Sequence, residues 1–149
     1  MTRSLGLVVI VIGLMTGAAG AVKAAGPSAQ LTAMITTAAA EHGVPEALLH
    51  RIIKRESNYN AGAYHGGHWG LMQIKYETAR SMGYRGPAAG LLNPEINLRF
   101  GGRYLAGAYM VAGGNSERAV RLYSSGYYYE AKRKGLLQAT RLKAGGKGP

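Results

Sequence analysis

Val44-Pro45-Glu46-Ala47-Leu48-Leu49-His50-Arg51-Ile52-Ile53-Lys54-Arg55-Glu56-Ser57-Asn58-Tyr59-Asn60 is the stretch on which the fold turns, and after a Gly/His/Trp loop it leads to Gly70-Leu71-Met72-Gln73-Ile74. Pro45 suits the first turn of a helix, where a missing N–H costs nothing. From there Leu49, Ile52, Ile53 and Glu56 recur at helical spacing, while His50, Arg51, Lys54 and Arg55 take the opposite side. On a wheel of about 100° per residue, Glu56 falls within about 20° of Leu49. A carboxylate therefore sits on the apolar stripe. That position is costly unless the group is paired, protonated or used.

The helix predicted from Pro45 ends just beyond Glu56. Burial on the stripe and the partial negative charge of a helix C-terminus both disfavour the ionised form and raise the carboxyl pKa. A carboxylic acid kept protonated near neutral pH is a general acid. Three structural alternatives stand beside this: an earlier helix end that leaves Glu56 in water, an ion pair with Arg55 or another base, or a cap on a neighbouring helix. A glycosidase needs a second carboxylate about 5–9.5 Å away. The chain has no Asp, and Glu46 lies about 15 Å back along the same helix. Glu77 and Glu95 fall on other predicted helices.

With 149 residues the chain suits a single domain, and a net charge of +11 points to an acidic partner or surface. Nucleic acid and an anionic cell envelope are the candidates, beside a solvated basic face with no single partner; no nucleic-acid module is recognisable, and an N-terminal secretory signal disfavours nucleic acid. There is no Cys, hence no disulfide framework, no thiolate metal site and no lipoprotein anchor. His65 and His68 have no third ligand nearby in sequence, so no metal is expected, and the pair reads as loop histidines or substrate contacts. Ten Tyr accompany one Phe and one Trp, a balance suited either to a sugar-binding groove or to a core of half-buried phenols.

Residues 1–24 read as a secretory signal: Arg3, an apolar run from Leu5 to Met15, then small residues that offer cleavage near Ala21 or Ala24. Retention as a membrane anchor is the alternative. After cleavage no stable span remains, and the mature protein is expected in the periplasm. The domain is predicted over 27–142, with a disordered basic tail over 143–149. Within it the spacing predicts helices over Ala29–His42, stopped by Gly43; from Pro45, with Glu56 near its C-terminal end; over Met72–Met82; from Pro94, capped by Asn93 and stopped by Gly113-Gly114; a further one capped by Asn115 or Ser116 and ended by Ser124-Ser125-Gly126; and a short last one after Tyr127-Tyr128-Tyr129 through about Leu142. Gly101, Gly102 and Gly107 predict close approach of another helix or of substrate along the long helix. No strand is predicted.

Four ordered motifs carry a resemblance. These are Leu49-x-x-Ile52-Ile53-x-x-Glu56-Ser57-x-Tyr59-Asn60, Gly70-Leu71-Met72-Gln73-Ile74, Leu92-Asn93-Pro94-Glu95-x-Asn97-Leu98-x-x-Gly101-x-x-Tyr104-Leu105, and Ala119-Val120-Arg121-Leu122-Tyr123-Ser124-Ser125-Gly126. From about Ala33 to Gly126 the chain resembles the catalytic domain of the lytic transglycosylases, the soluble-lytic-transglycosylase type. The resemblance implies an all-α, goose-lysozyme-like single helical domain. It also implies cleavage of the MurNAc-β-1,4-GlcNAc bond of peptidoglycan glycan strands, with 1,6-anhydromuramoyl ends and no cofactor. By the same resemblance Glu56 is the single catalytic acid/base, and Ser57, Met72, Gln73, Tyr104, Tyr123 and Ser124 are the substrate-binding residues, Tyr123 also holding Glu56. The sequence departs from the pattern at Ser124, where Asn is usual, at Tyr64, where Ser is common, and at Lys75, where Met is frequent. A Glu-Thr-Arg-Tyr segment has no clear counterpart, Glu130 being a loose one. A compact member of this kind fits one that opens local gaps in the wall for a secretion or pilus assembly. The rival readings are a lysozyme-type hydrolase and a non-catalytic peptidoglycan-binding protein on the same fold.

Overall fold

The computed structural model describes residues 26–142; the expected signal and tail lie outside the described residues. The chain runs α1 (Ala29–His42), α2 (Glu46–Ser57), a three-stranded antiparallel sheet of two-residue strands β1 (Tyr64–His65), β2 (His68–Trp69) and β3 (Ile74–Lys75), then α3 (Tyr76–Ser81), a 3₁₀ turn (Ala88–Leu92), α4 (Pro94–Val111), α5 (Ser116–Ser125), α6 (Tyr128–Arg133) and α7 (Leu137–Thr140). It is the all-α, lysozyme-like arrangement the resemblance implied. Among the described residues, no helix is long and apolar enough to cross a membrane.

Side-chain caps start three of the helices. The side chain of Ser28 accepts from the Leu31 N–H, that of Asn93 from Ile96 and that of Asn115 from Arg118, each satisfying an N–H orphaned at a helix start. Gly43 closes α1 in the left-handed region at φ 64°. The core is one cluster in which Ile35, Leu49, Ile52, Ile53, Leu105, Ala108 and Val111 are wholly buried. The long helix α4 lies at its centre and packs against α1 and α5. Its glycines do admit close neighbours: a Cβ at Gly101 would come within 2.7 Å of Met72 Sδ, and one at Gly102 or Gly107 would strike His42 or Tyr127.

Three expectations need correction. The predicted helix over Met72–Met82 begins only at Tyr76. Gln73 adopts φ 47°, and both backbone groups of Met72 are held by side chains, its N–H by Asn97 Oδ1 at 2.8 Å and its carbonyl by the Tyr123 hydroxyl at 2.7 Å. Those bonds replace the helical ones. Strands exist where none was predicted, because two-residue strands are too short for alternation to register. The last helix is broken in two at Gly135, φ 68°.

Candidate active site

Glu56 stands at the end of α2, in line with the fully buried Leu49, Ile52 and Ile53. Its side chain is 19 % exposed, and Arg55 Nε lies 3.2 Å from its Oε1. Burial raises the carboxyl pKa, while the Arg55 and His68 charges lower it; burial wins, and the pKa stays above the ordinary carboxylate value. The pairing and the burial anticipated as alternatives are thus both present.

Glu56 opens on a cleft of about 230 Å³ that it shares with Arg55, His65, His68, Gln73 and Ser124. The histidines come from the β1–β2 hairpin. His65 and His68 pair directly, as do Tyr64 and Trp69. Paired residues share a face, so one face of the hairpin supplies both histidines to the cleft. On the other, the Tyr64 and Trp69 rings pack at a tilt of 46° with centroids 4.3 Å apart. Gly66 and Gly67, at φ 55° and 87°, provide the two positive-φ positions a tight two-residue turn demands. His68 Nδ1 is 3.0 Å from the His65 carbonyl. A carbonyl only accepts, so Nδ1 carries the hydrogen.

The Gly70–Gln73 segment forms the floor. Gln73 is nearly buried, and its Nε2 donates to the carbonyls of Ala63 at 3.1 Å and Gly70 at 3.0 Å. Two carbonyl partners fix the amide orientation and turn Oε1 away from both. Such left-handed backbone costs a non-glycine residue about 1–3 kcal/mol, and these two bonds offset it. Gly70 itself is irreplaceable: at φ 69° a Cβ there would lie 2.5 Å from the Leu91 carbonyl oxygen and against the Asn97 amide. Asn97, wholly buried, spans three backbone groups, accepting from the Met72 N–H and donating to the carbonyls of Trp69 at 2.7 Å and Leu91 at 2.8 Å. Ser57 Oγ adds a bond to the Leu71 carbonyl at 2.7 Å, tying α2 to the floor.

The residues expected to contact substrate separate into two groups. Gln73 and Ser124 line the cleft with Glu56. Met72, Tyr104 and Tyr123 are wholly buried, so their side chains hold the floor rather than face a sugar. The Tyr123 hydroxyl donates to Met72, not to Glu56. Burial, and then the nearby Glu56 charge, push its phenol well above its ordinary range, so it is a neutral donor. Tyr104 packs between Tyr123 and Tyr127, at 5.3 Å and 4.8 Å between centroids. Ser57 is engaged by the Leu71 carbonyl. Ser124 Oγ accepts from Arg55 Nη2, so Arg55 bridges Glu56 and Ser124 across the ends of α2 and α5. From the sequence His65 and His68 are loop histidines or substrate contacts and Arg55 a pairing base for Glu56; Asn97, within the third motif, is the cleft-supporting residue the sequence did not single out. The Gly66-Gly67 turn was the available signal for the histidines, since a two-residue turn places the flanking pair on one face.

All seven carboxylate side chains can be accounted for. Glu46 is held by His50 at 3.5 Å and Thr36 at 3.0 Å, Glu117 by Arg51, and Glu130 by Arg118 and Lys134. Glu41 and Glu95 line a larger groove of about 680 Å³ between α1 and α4, and Glu77 is in the first turn of α3. None of these lines the Glu56 cleft. Among the described residues no three His, Asp or Glu groups are grouped to hold a metal ion.

A lone, pKa-raised Glu on a helix end facing a Gly-Leu-Met-Gln floor is the arrangement the sequence motifs led toward. The family model described as the transglycosylase SLT domain matches residues 33–142. The chain belongs to this transglycosylase SLT family. The family's domain is a lytic transglycosylase catalytic domain, and its substrate is the peptidoglycan of the cell envelope. The match includes every cleft residue named above and continues through α7, beyond the last recognisable motif at Gly126.

Proposed function

We propose that this SLT domain is an active lytic transglycosylase in which Glu56 alone serves as acid and then base, leaving 1,6-anhydromuramoyl ends. The supporting observation is that, among the described residues, Glu56 is the one carboxylate lining its cleft, half-buried and biased toward the protonated form. Protonated Glu56 donates to the glycosidic oxygen as the C1–O4 bond breaks. The resulting carboxylate takes the proton of the muramoyl 6-hydroxyl as O6 bonds to C1. Protons balance, water is not consumed, and no second carboxylate is needed. Gln73 Oε1, Ser124 and the two histidines are the polar groups available to orient the sugars; Ser57, Met72, Tyr104 and Tyr123 act by holding the floor. The reaction belongs in the periplasm, reached through a cleaved N-terminal signal, and N-terminal sequencing of the exported protein tests that placement. Local opening of the wall for a secretion or pilus assembly is compatible with a domain of this size.

Product masses test the chemistry. Anhydro ends are one water lighter than hydrolysed ends, and the lighter species is expected from purified sacculi. If only the heavier one forms, the protein is a hydrolase. Glu56→Gln is expected to lower digestion by about 10²–10⁴-fold, the usual contribution of a general acid/base. Unchanged digestion by that variant would remove Glu56 from the mechanism and favour a binding role.

A further inference from the structure

A second cleft, of about 410 Å³, lies between the loop after α3, α4 and α7, and shares no residue with the Glu56 cleft. We infer that it is a binding site for a phosphate group, held by Arg85, Arg103 and Arg141. Each of the three comes from a different element, and all three line the same space together with Gln138. Among the described residues no carboxylate lines it. Among the described residues, none of these arginines is in an ion pair, while Arg51, Arg55 and Arg118 each are.

Two of the three are anchored by backbone carbonyls. Arg103 Nη1 donates to Met82 at 2.6 Å, and Arg85 Nη1 donates to Arg80 at 3.0 Å and Tyr84 at 2.8 Å. Those bonds hold the guanidiniums without neutralising them. Arg103 in particular is partly buried beside Arg141 and Arg99, and burial followed by these like charges weakens its hold on its proton. Like charges gathered without a counter-ion repel, and an anion placed among them relieves that repulsion.

The number of forks selects the anion. A carboxylate has two oxygens and is saturated by one or two guanidiniums. A phosphate presents more oxygens and about −1.5 to −2 charge as a monoester, and guanidinium forks match it bidentately. Gln138 adds a neutral amide, and the buried side chains of Met82 and Leu142 give one wall an apolar surface suited to the carbon part of an ester. The phosphate has two possible sources, the headgroup of an anionic lipid or a soluble phosphate. The site does not depend on the reaction assigned to Glu56.

The test pairs two variants of equal charge loss in the full chain. Arg85→Gln/Arg141→Gln removes two exposed arginines from the cleft; Lys132→Gln/Arg133→Gln removes two exposed charges from α6, which does not line it. Inorganic phosphate is titrated calorimetrically at low ionic strength. In parallel, sedimentation is measured with phosphatidylglycerol/phosphatidylcholine vesicles against phosphatidylcholine alone. The cleft variant is expected to weaken binding by about tenfold or more, the control by far less. Loss in the phosphate arm alone identifies a soluble phosphate, and loss in the phosphatidylglycerol arm identifies a lipid headgroup. Equal loss in both variants, or no difference from wild type in either arm, overturns the site in favour of a solvated basic surface. Arg103→Gln is the third variant; because it also releases the Met82 carbonyl, it is read only with a thermal melt matching wild type.

Discussion

Glu56 is set by opposing influences of different reach. Burial raises its pKa, and the Arg55 and His68 charges pull it back. The acid step needs the protonated form, so activity falls as pH rises through that raised pKa. Removing a lowering charge moves the fall to higher pH: Arg55→Gln is expected to shift the alkaline limb of kcat/KM upward, and a downward shift would contradict the assignment. Arg55 also donates to Ser124, the position at which the resemblance leads one to expect Asn. In this chain, therefore, the shorter side chain at 124 is joined to the acid through a guanidinium. Linkage gives a second expectation. Folded Glu56 has a higher pKa than its unfolded value of 4.5, so below that value both states are protonated and no penalty exists. Above the folded pKa the buried charge opposes folding. The Tm advantage of Glu56→Gln should then be absent in acid and grow as pH rises through the carboxyl range. Two core tyrosines provide a contrast. Tyr123→Phe leaves the Met72 carbonyl without its donor and should cost about 1–3 kcal/mol by denaturant unfolding. Tyr104 Oη has no hydrogen-bond partner among the described residues, so Tyr104→Phe should leave stability unchanged or slightly higher.

Among the elements, α4 acts on the cleft without lining it. Asn97 on its first turns holds three backbone groups of the floor and the 3₁₀ turn, and Gly101 makes room for Met72. Asn97→Leu would strand buried N–H and C=O groups, at about 1–3 kcal/mol each and less than additively. A loss of about 3 kcal/mol is expected, together with lowered digestion, because Gln73 depends on the same floor. Were stability lost and activity per folded molecule retained, the floor would not be positioning the site. The hairpin obeys a different rule. A one-residue slip of either strand would turn that strand's histidine off the cleft face and break the His65–His68 pairing, so inserting a residue between Gly66 and Gly67 should impair activity far more than it impairs folding.

At the scale of the whole molecule, charge governs encounter and burial governs chemistry. The net charge of +11 attracts an anionic wall over a screening length that falls from about 30 Å at 0.01 M salt to about 3 Å at 1 M. Binding to purified sacculi should decline steadily with salt in a pull-down. The position of the pH limb should move much less, since Arg55 contacts Glu56 directly within a half-buried cleft. Equal sensitivity of both would mean that long-range field, not local contact, sets the Glu56 pKa.

The helical plan was legible because helix ends are local chemistry. Gly43, Asn93-Pro94, the Asn115-Ser116 pair and the apolar periodicity of Leu49, Ile52, Ile53 act over one or two turns, and Glu56 on that stripe was visible for the same reason. The composition also excluded a thiolate site and an Asp partner outright. What tertiary structure alone decided are contacts between residues distant in the chain. The start of α3 was misread because Met72 is held by Asn97 and Tyr123, which lie 25 and 51 positions away. The histidine wall depends on a pairing too short to leave a periodic trace. The tyrosines assigned to sugar proved to be core because hydroxyl and ring are the same in either place, and only packing distinguishes them. The three arginines of the second cleft meet only because α7 folds back on α4. Periodicity and capping report what a residue does to its own turn of chain; a site is made where separate turns converge.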